Sequence, residues 1–190
     1  MARKTQISRE KILEAAYALL LREGSAAVSI TAIARELGCS TQPVVWQFGS
    51  MPAFRQAFLD HCILRAKEQF TVRTDSLERM LDGTALGYIR IAREQPALFR
   101  FVFVENKECC RNSQIVRRLQ LESTGKLLEL LCRQEGLSRD RAAAFLMDYE
   151  FYVHGIASYT ASGFCALEEE QAEKMVRSAR SAFLAAAREV

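Results

Sequence analysis

The sequence predicts an all-α protein of about nine helices, a small N-terminal three-helix unit followed by a larger helical C-terminal unit. Three observations carry that prediction. Apolar residues recur three, four and seven apart along most of the chain, the spacing of helices with one buried face. Serines precede several of these runs and glycines follow some of them, as helix caps do. The one stretch dense enough in Phe and Val to pass for a strand, PALFRFVFVEN at 96–106, has no partner strand elsewhere and opens on a proline that suits a helix start.

The 190 residues fit one ordinary domain or two small ones, and 49% hydrophobic with 26% charged residues is enough to build a core. Three prolines and nine glycines leave no room for a long flexible linker, and no internal repeat is present. The N-terminus MARKTQISREK is followed by a charged amphipathic run rather than an apolar signal segment, and no apolar run is long enough to span a membrane. A cytoplasmic protein with no membrane partner is expected. Six cysteines (Cys39, Cys62, Cys109, Cys110, Cys132, Cys165) lack any zinc-like spacing, so no metal or other cofactor is expected and free thiols are. The adjacent pair Cys109 and Cys110 keeps a redox-responsive role open.

Charge is unevenly placed. Residues 1–70 hold 9 Lys and Arg against 6 Asp and Glu, whereas the remainder holds 17 of each. The whole excess of +3 therefore lies with the N-terminal unit, as attraction to a polyanion requires.

Taken in order, Arg3 and Lys4 form either a short basic arm or an unstructured charged terminus. A first helix begins near Ser8, buries Ile12, Ala16, Leu19 and Leu20, and stops at Gly24. Ser29 caps a second helix over about 30–37, with Ile30, Ile33, Ala34 and Leu37 inward. Gly38 makes the turn, Cys39 plugs the junction, and Ser40 caps a third helix over about 41–48. Pro43 falls in its first turn, where no intrahelical bond is lost. That helix is too short to be stable alone, so Val44 and Phe48, four apart, must face its neighbours. Thr41, Gln42, Val45, Trp46 and Gln47 are left outward or at the edge. Trp46, the single tryptophan, reads either as packed or as groove-facing. Two short helices about a glycine turn have the form of a helix-turn-helix, whose second helix lies in the major groove of DNA. Gly49 breaks the chain again, Ser50 caps a fourth helix over about 51–70, and Phe54, Phe58, Ile63 and Phe70 form its stripe.

KILEAAYALLLREG at 11–24, SITAIARELGCS at 29–40, VVWQF at 44–48 and SMPAF at 50–54 together resemble the N-terminal pattern of the TetR family of transcriptional regulators, over roughly residues 8–60. The resemblance implies a DNA-binding domain at 1–50, a connecting helix at about 51–70, and a helical ligand-binding and dimerisation domain across 51–190. It also carries departures. Val45 stands where the family usually has a tyrosine, Gln47 where it often has histidine, and Met51 where a lysine commonly meets phosphate. DNA contacts are accordingly expected from Thr31, Ser40, Thr41, Gln42, Val45, Trp46, Gln47 and Ser50.

In the C-terminal part, one helix carries Leu77, Leu81, Tyr88 and Ala92 and stops before Pro96. Gly83 and Gly87 inside it cost helix propensity, which predicts close packing or a bend there. Further helices are expected at about 113–135, from an N-cap at Ser138 to about 161, and from about 168 to the end. Leu146, Tyr149, Val153 and Ile156 make one stripe; Met175, Ala179, Ala182, Phe183 and Ala186 make another. In the family the last two helices pair with those of a second subunit, and small residues on the final helix suit that. Phe99, Phe103, Tyr149, Tyr152 and His154 are candidates for an aromatic ligand pocket, against the alternative that they are core packing. His154 reads either as a ligand contact or as a satisfied interface histidine.

The expected function is therefore a homodimeric regulator, a repressor released from a near-palindromic double-stranded operator by an unknown small-molecule effector. No enzyme is expected, because neither a catalytic triad spacing nor a phosphate loop is present. A dimeric helical interaction protein with altered DNA binding is the alternative that Val45, Gln47 and Met51 keep open.

Overall fold

The computed structural model describes residues 7–106 and 113–189, residue 120 by its backbone alone. Arg3, Lys4, Cys109 and Cys110 lie outside the described residues. Nine α-helices and no strand occur among the described residues: α1 (Arg9–Glu23), α2 (Ile30–Glu36), α3 (Thr41–Phe48), α4 (Met51–Phe70), α5 (Leu77–Glu94), α6 (Pro96–Arg100), α7 (Gln114–Glu135), α8 (Arg139–Ala161) and α9 (Glu169–Glu189). A 3₁₀ turn, Ser25–Ala27, follows α1, and a wider π turn, Phe101–Glu105, continues α6. None of the described helices is long and apolar enough to cross a membrane.

Packing divides the chain into two compact units, Met1–Arg65 with Ala97–Ser113, and Ala66–Pro96 with Gln114–Val190. The division falls inside α4 rather than at residue 50. The reason is a run of rings through the first unit. Phe48 meets Phe54 edge-on at 5.2 Å, Phe54 stacks on Phe58 at 5.9 Å, and Phe58 tilts against Phe101 at 5.1 Å. Aromatic pairs at these separations add to plain area burial, so the first turns of α4 and residues 97–106 share a core with α3.

In the first unit, Ile12, Ala15, Ala16, Leu19 and Leu20 of α1 are buried against α2 and α3. Ile33 and Ala34 of α2 complete the seat, with Ile30 and Leu37 half-buried at its margin. Ser8 caps α1 by accepting from the Lys11 N–H at 3.3 Å, and Ser29 caps α2 through Ala32 N–H at 3.2 Å. Gly24, at φ 86°, ends α1 in a conformation that other residues avoid.

In the second unit, α5 packs on α7, α8 and α9, and α8 packs on both α7 and α9. Phe145, Leu146, Tyr149 and Val153 fill the centre from α8, and Val176 and Ala179 do so from α9. Arg180 grips Asp82 with two hydrogen bonds, at 2.8 and 3.1 Å, and reaches Glu78 at 2.6 Å. Neighbouring Glu and Asp hold that guanidinium above its usual range, the Asp82 hydrogen bond being the largest cause. Because Arg180 and Asp82 are both largely withdrawn from water, the pair fixes the register of α9 on α5 more than it adds net stability.

The two glycines of α5 are places of close approach. A Cβ on Gly87 would stand 2.7 Å from the Phe70 Cβ and 2.8 Å from its Cα, and one on Gly83 2.7 Å from the Val72 Cγ2. The end of α4 thus lies backbone-to-backbone on α5. Gly125, exposed on α7, has nothing within 4 Å of its missing Cβ. Gly87→Ala should therefore lower the melting temperature, because overpacking of about 1–3 kcal/mol outweighs a helix-propensity gain of about 1 kcal/mol. Gly125→Ala should raise it by that propensity gain alone. Calorimetric melts of the two variants check the pair of opposite signs.

Candidate nucleic-acid interface

The interface is built on α3, an eight-residue helix whose buried residues are Val44 and Phe48. Val44 is 1% exposed, which seats one face of α3 on α1 and α2. Everything opposite is left to solvent. Thr41, Gln42 and Val45 are exposed, and Trp46 is 84% exposed. Trp46 is therefore not packed into the core.

The turn into α3 is set by Gly38 at φ 63°, with Cys39 N–H returning to the Ala34 carbonyl at 2.9 Å. Cys39 is half-buried, at the edge of the core rather than within it. Ser40 stands at the N-cap position but its side chain makes no cap hydrogen bond. The cause is local. The other serine caps, Ser8, Ser29, Ser50, Ser76 and Ser138, each accept from the N–H three residues on, and in α3 that residue is Pro43, which has no N–H. The expectation that Ser40 caps α3 is corrected accordingly: its exposed hydroxyl remains available at the start of the helix. Ser50 does cap, accepting from Ala53 N–H at 3.3 Å. Thr31 is exposed in the first turn of α2, between the Ser29 cap and Ala32.

Gln47 behaves differently from its neighbours. It is half-buried, and its Nε2 donates to the Ile7 carbonyl at 2.7 Å, across 40 positions of sequence. Next to it, the Arg9 guanidinium lies 4.5 Å above the Phe48 ring. Sequence reasoning passed over Arg9. A signal was present, since a cation in the first turn of a helix opposes the helix dipole and calls for another partner.

Of the aromatic pocket candidates, Phe99 and Phe103 belong to the first unit, with ring centroids 5.3 Å apart and Phe99 fully buried. Tyr149, Tyr152 and His154 belong to the second. Tyr149 stacks on Phe145 at 5.7 Å, and burial pushes its phenol well above its usual range. Tyr152 meets Phe183 edge-on at 5.9 Å. His154 has both ring nitrogens engaged, Nδ1 with the Tyr88 hydroxyl at 2.9 Å and Nε2 with Ser158 Oγ at 3.3 Å. The five therefore do not form one cluster within either unit. Among the described cysteines, Cys62 is buried and its thiol pushed far up by desolvation, Cys39 and Cys132 are half-buried, and Cys165 is exposed; all four are free thiols.

The sequence model of the family described as "Bacterial regulatory proteins, tetR family" matches residues 12–58, which span α1 to the middle of α4. An uncharacterized HTH-type transcriptional regulator of Mycobacterium tuberculosis, found in two strains, is 29% identical over 101 residues, 51% of this chain and 50% of the relative. The chain thus spans about half the length of the curated relatives it matches. A variant of TetR from Acinetobacter baumannii AYE, crystallised in complex with minocycline, superposes with a TM-score of 0.63 at 16% identity, over 95% of this chain and 96% of that one. A TetR-like transcriptional regulator from Rhodococcus sp. RHA1 superposes with a TM-score of 0.58 at 20% identity, over 97% and 98%. These two likenesses concern the fold, an N-terminal helix-turn-helix domain followed by a helical C-terminal domain. The N-terminal helices that build the α3 surface thus match the TetR family pattern, and the fold over the length of the chain is similar to that of TetR-like regulators.

Proposed function

We propose that the chain is a homodimeric DNA-binding transcriptional repressor, released from a near-palindromic operator by a small-molecule effector. The observation that carries the reading is the outer face of α3, where Thr41, Gln42, Val45 and Trp46 are exposed on a helix whose other face is locked into the core. Gln42 suits the N6 and N7 edge of adenine, and Val45 and Trp46 suit thymine methyl groups. Ser40, left without a cap bond, Thr31 and Ser50 are placed at helix starts, where hydroxyls and free N–H groups meet phosphate. The Gln47 amide, spent on Ile7, contributes less to base reading than its sequence position implies.

Dimerisation is supported by an exposed apolar row on α8. Met147, Phe151 and Tyr159 are 54%, 69% and 57% exposed and, with Gly155 between the last two, repeat every four residues along one ridge. Exposed Ala182 and Ala186 of α9 offer a small-residue surface that permits close helix approach. Two α3 helices related by a dyad would enter successive major grooves roughly 34–36 Å apart. An effector is supported by the relative that carries minocycline, within the same fold. The alternative, a helical interaction protein, draws on the apolar character of Val45, Trp46 and Met51, all exposed.

Selection from random duplexes should enrich a palindrome whose affinity falls steeply with salt. Gln42→Ala should lose about 1–3 kcal/mol on it and relax preference at one symmetric base step. Enrichment of no palindrome by an intact dimer would favour the interaction-protein reading. Phe151→Asp should shift the protein to monomer in analytical ultracentrifugation and cost most of its operator affinity, while its circular dichroism stays helical.

A further inference from the structure

The exposed face of α3 carries no charge of its own. Its sequence TQPVVWQF holds neither acid nor base, and the first four residues of α4, MPAF, add none. A duplex is bound chiefly through its phosphates, so cations have to come from other elements packed beside α3. One such cation is Arg9, in the first turn of α1, whose guanidinium carbon stands 4.5 Å above the Phe48 ring in the last turn of α3. Gln47 Nε2, donating to the Ile7 carbonyl at 2.7 Å, ties the same start of α1 to the same end of α3.

The fold does not use up the charge of Arg9. Among the described residues its exposed side chain makes no ion pair and no hydrogen bond, whereas Arg22 is held by Glu23 and Glu36, and Arg65 by Glu14. A cation at the positive end of its own helix is unfavourable for that helix, and Glu10, the acid in the same turn, makes no ion pair with it. The Phe48 ring attracts the guanidinium without taking up its N–H donors. The cation is thus held in place with its fork open to an anion. Position supplies the anion. Eight residues of α-helix are about 12 Å long, and the major groove of B-DNA is about 12 Å wide. With the outer face of α3 in that groove, the end that carries Phe48 stands at the groove wall, which is phosphate backbone.

We propose that Arg9 is a phosphate-binding residue: the Phe48 ring and the Gln47–Ile7 bond hold its guanidinium at the end of α3, where it grips a backbone phosphate flanking the bases that α3 reads. This rests on the DNA-binding reading above and adds to it a contact from α1. The ligand is duplex phosphate, which positions the protein and carries no sequence information. Arg9 therefore sets affinity and salt dependence, and α3 sets the choice of bases.

The test is fluorescence-anisotropy titration of the full chain on a selected operator and on an unrelated duplex, across a range of salt. Arg9→Gln keeps a long polar side chain beside Phe48 and removes the charge. It should weaken binding roughly three- to tenfold on both duplexes and lower the log–log salt slope by about 1 for each half-site bound. Base preferences should stay unchanged. Arg9→Lys, which keeps the charge but not the fork, should retain the slope and lose part of the affinity. Lys11→Gln is the control, since it removes the same charge from a neighbouring exposed position of α1, and it should change the slope far less. An unchanged slope in Arg9→Gln would overturn the proposal, and with a lowered melting temperature it would mark Arg9 as a structural cation only. An equal slope loss in Lys11→Gln would also overturn it, by reducing Arg9 to part of a diffuse field. So would an Arg9→Gln loss confined to one base step, which would make Arg9 a base reader. Failure of the wild type to bind any duplex would instead overturn the DNA-binding reading itself, and the phosphate contact with it.

Discussion

The exposed face of α3 depends on how that helix is seated. Eight residues cannot hold a helix in water, so α3 exists because Val44 and Phe48 are taken up by α1, α2 and the rings of α4. Burying two such side chains stabilises by roughly 1.5–3 kcal/mol each, which offsets part of the cost of ordering the short helix they carry. The consequence runs outward. With both large apolar positions of the inner face committed, the outer face is free to present Thr41, Gln42, Val45 and Trp46. A reading helix has to be rigid, since a side chain displaced from its base edge loses the discrimination that hydrogen-bond geometry supplies.

The second unit is held by different physics. Its helices approach most closely where side chains are absent, Phe70 lying against Gly87, and their register is pinned by Arg180 on Asp82. It leaves an apolar row exposed on α8, Met147, Phe151 and Tyr159.

Much of this was legible in the sequence because it is local. The Ser8, Ser29, Ser50 and Ser138 caps form as read, since each has an N–H three residues on. Ser40 does not, because the cap donor and Pro43 fall on the same position. That conflict was visible in the sequence to anyone counting donors rather than residues. The glycines of α5, read as close packing or a bend, are places of close packing. The role of Gln47 was not legible. Its partner is a backbone carbonyl 40 positions away, and no periodicity encodes a bond of that kind. That the aromatic candidates fall in two units was not legible for a related reason: helical spacing says which residues share a face, not which unit that face is buried in.

The central claim is that the outer face of α3 meets duplex DNA, and the chain supplies its own reporter there. Trp46 is the single tryptophan and is 84% exposed. Its emission should be that of a water-exposed indole, open to acrylamide quenching in the free protein. Saturation with a selected palindromic duplex should change that emission and protect it from the quencher. Emission and quenching unchanged at saturating duplex would contradict the account, since DNA would then be bound by some other surface.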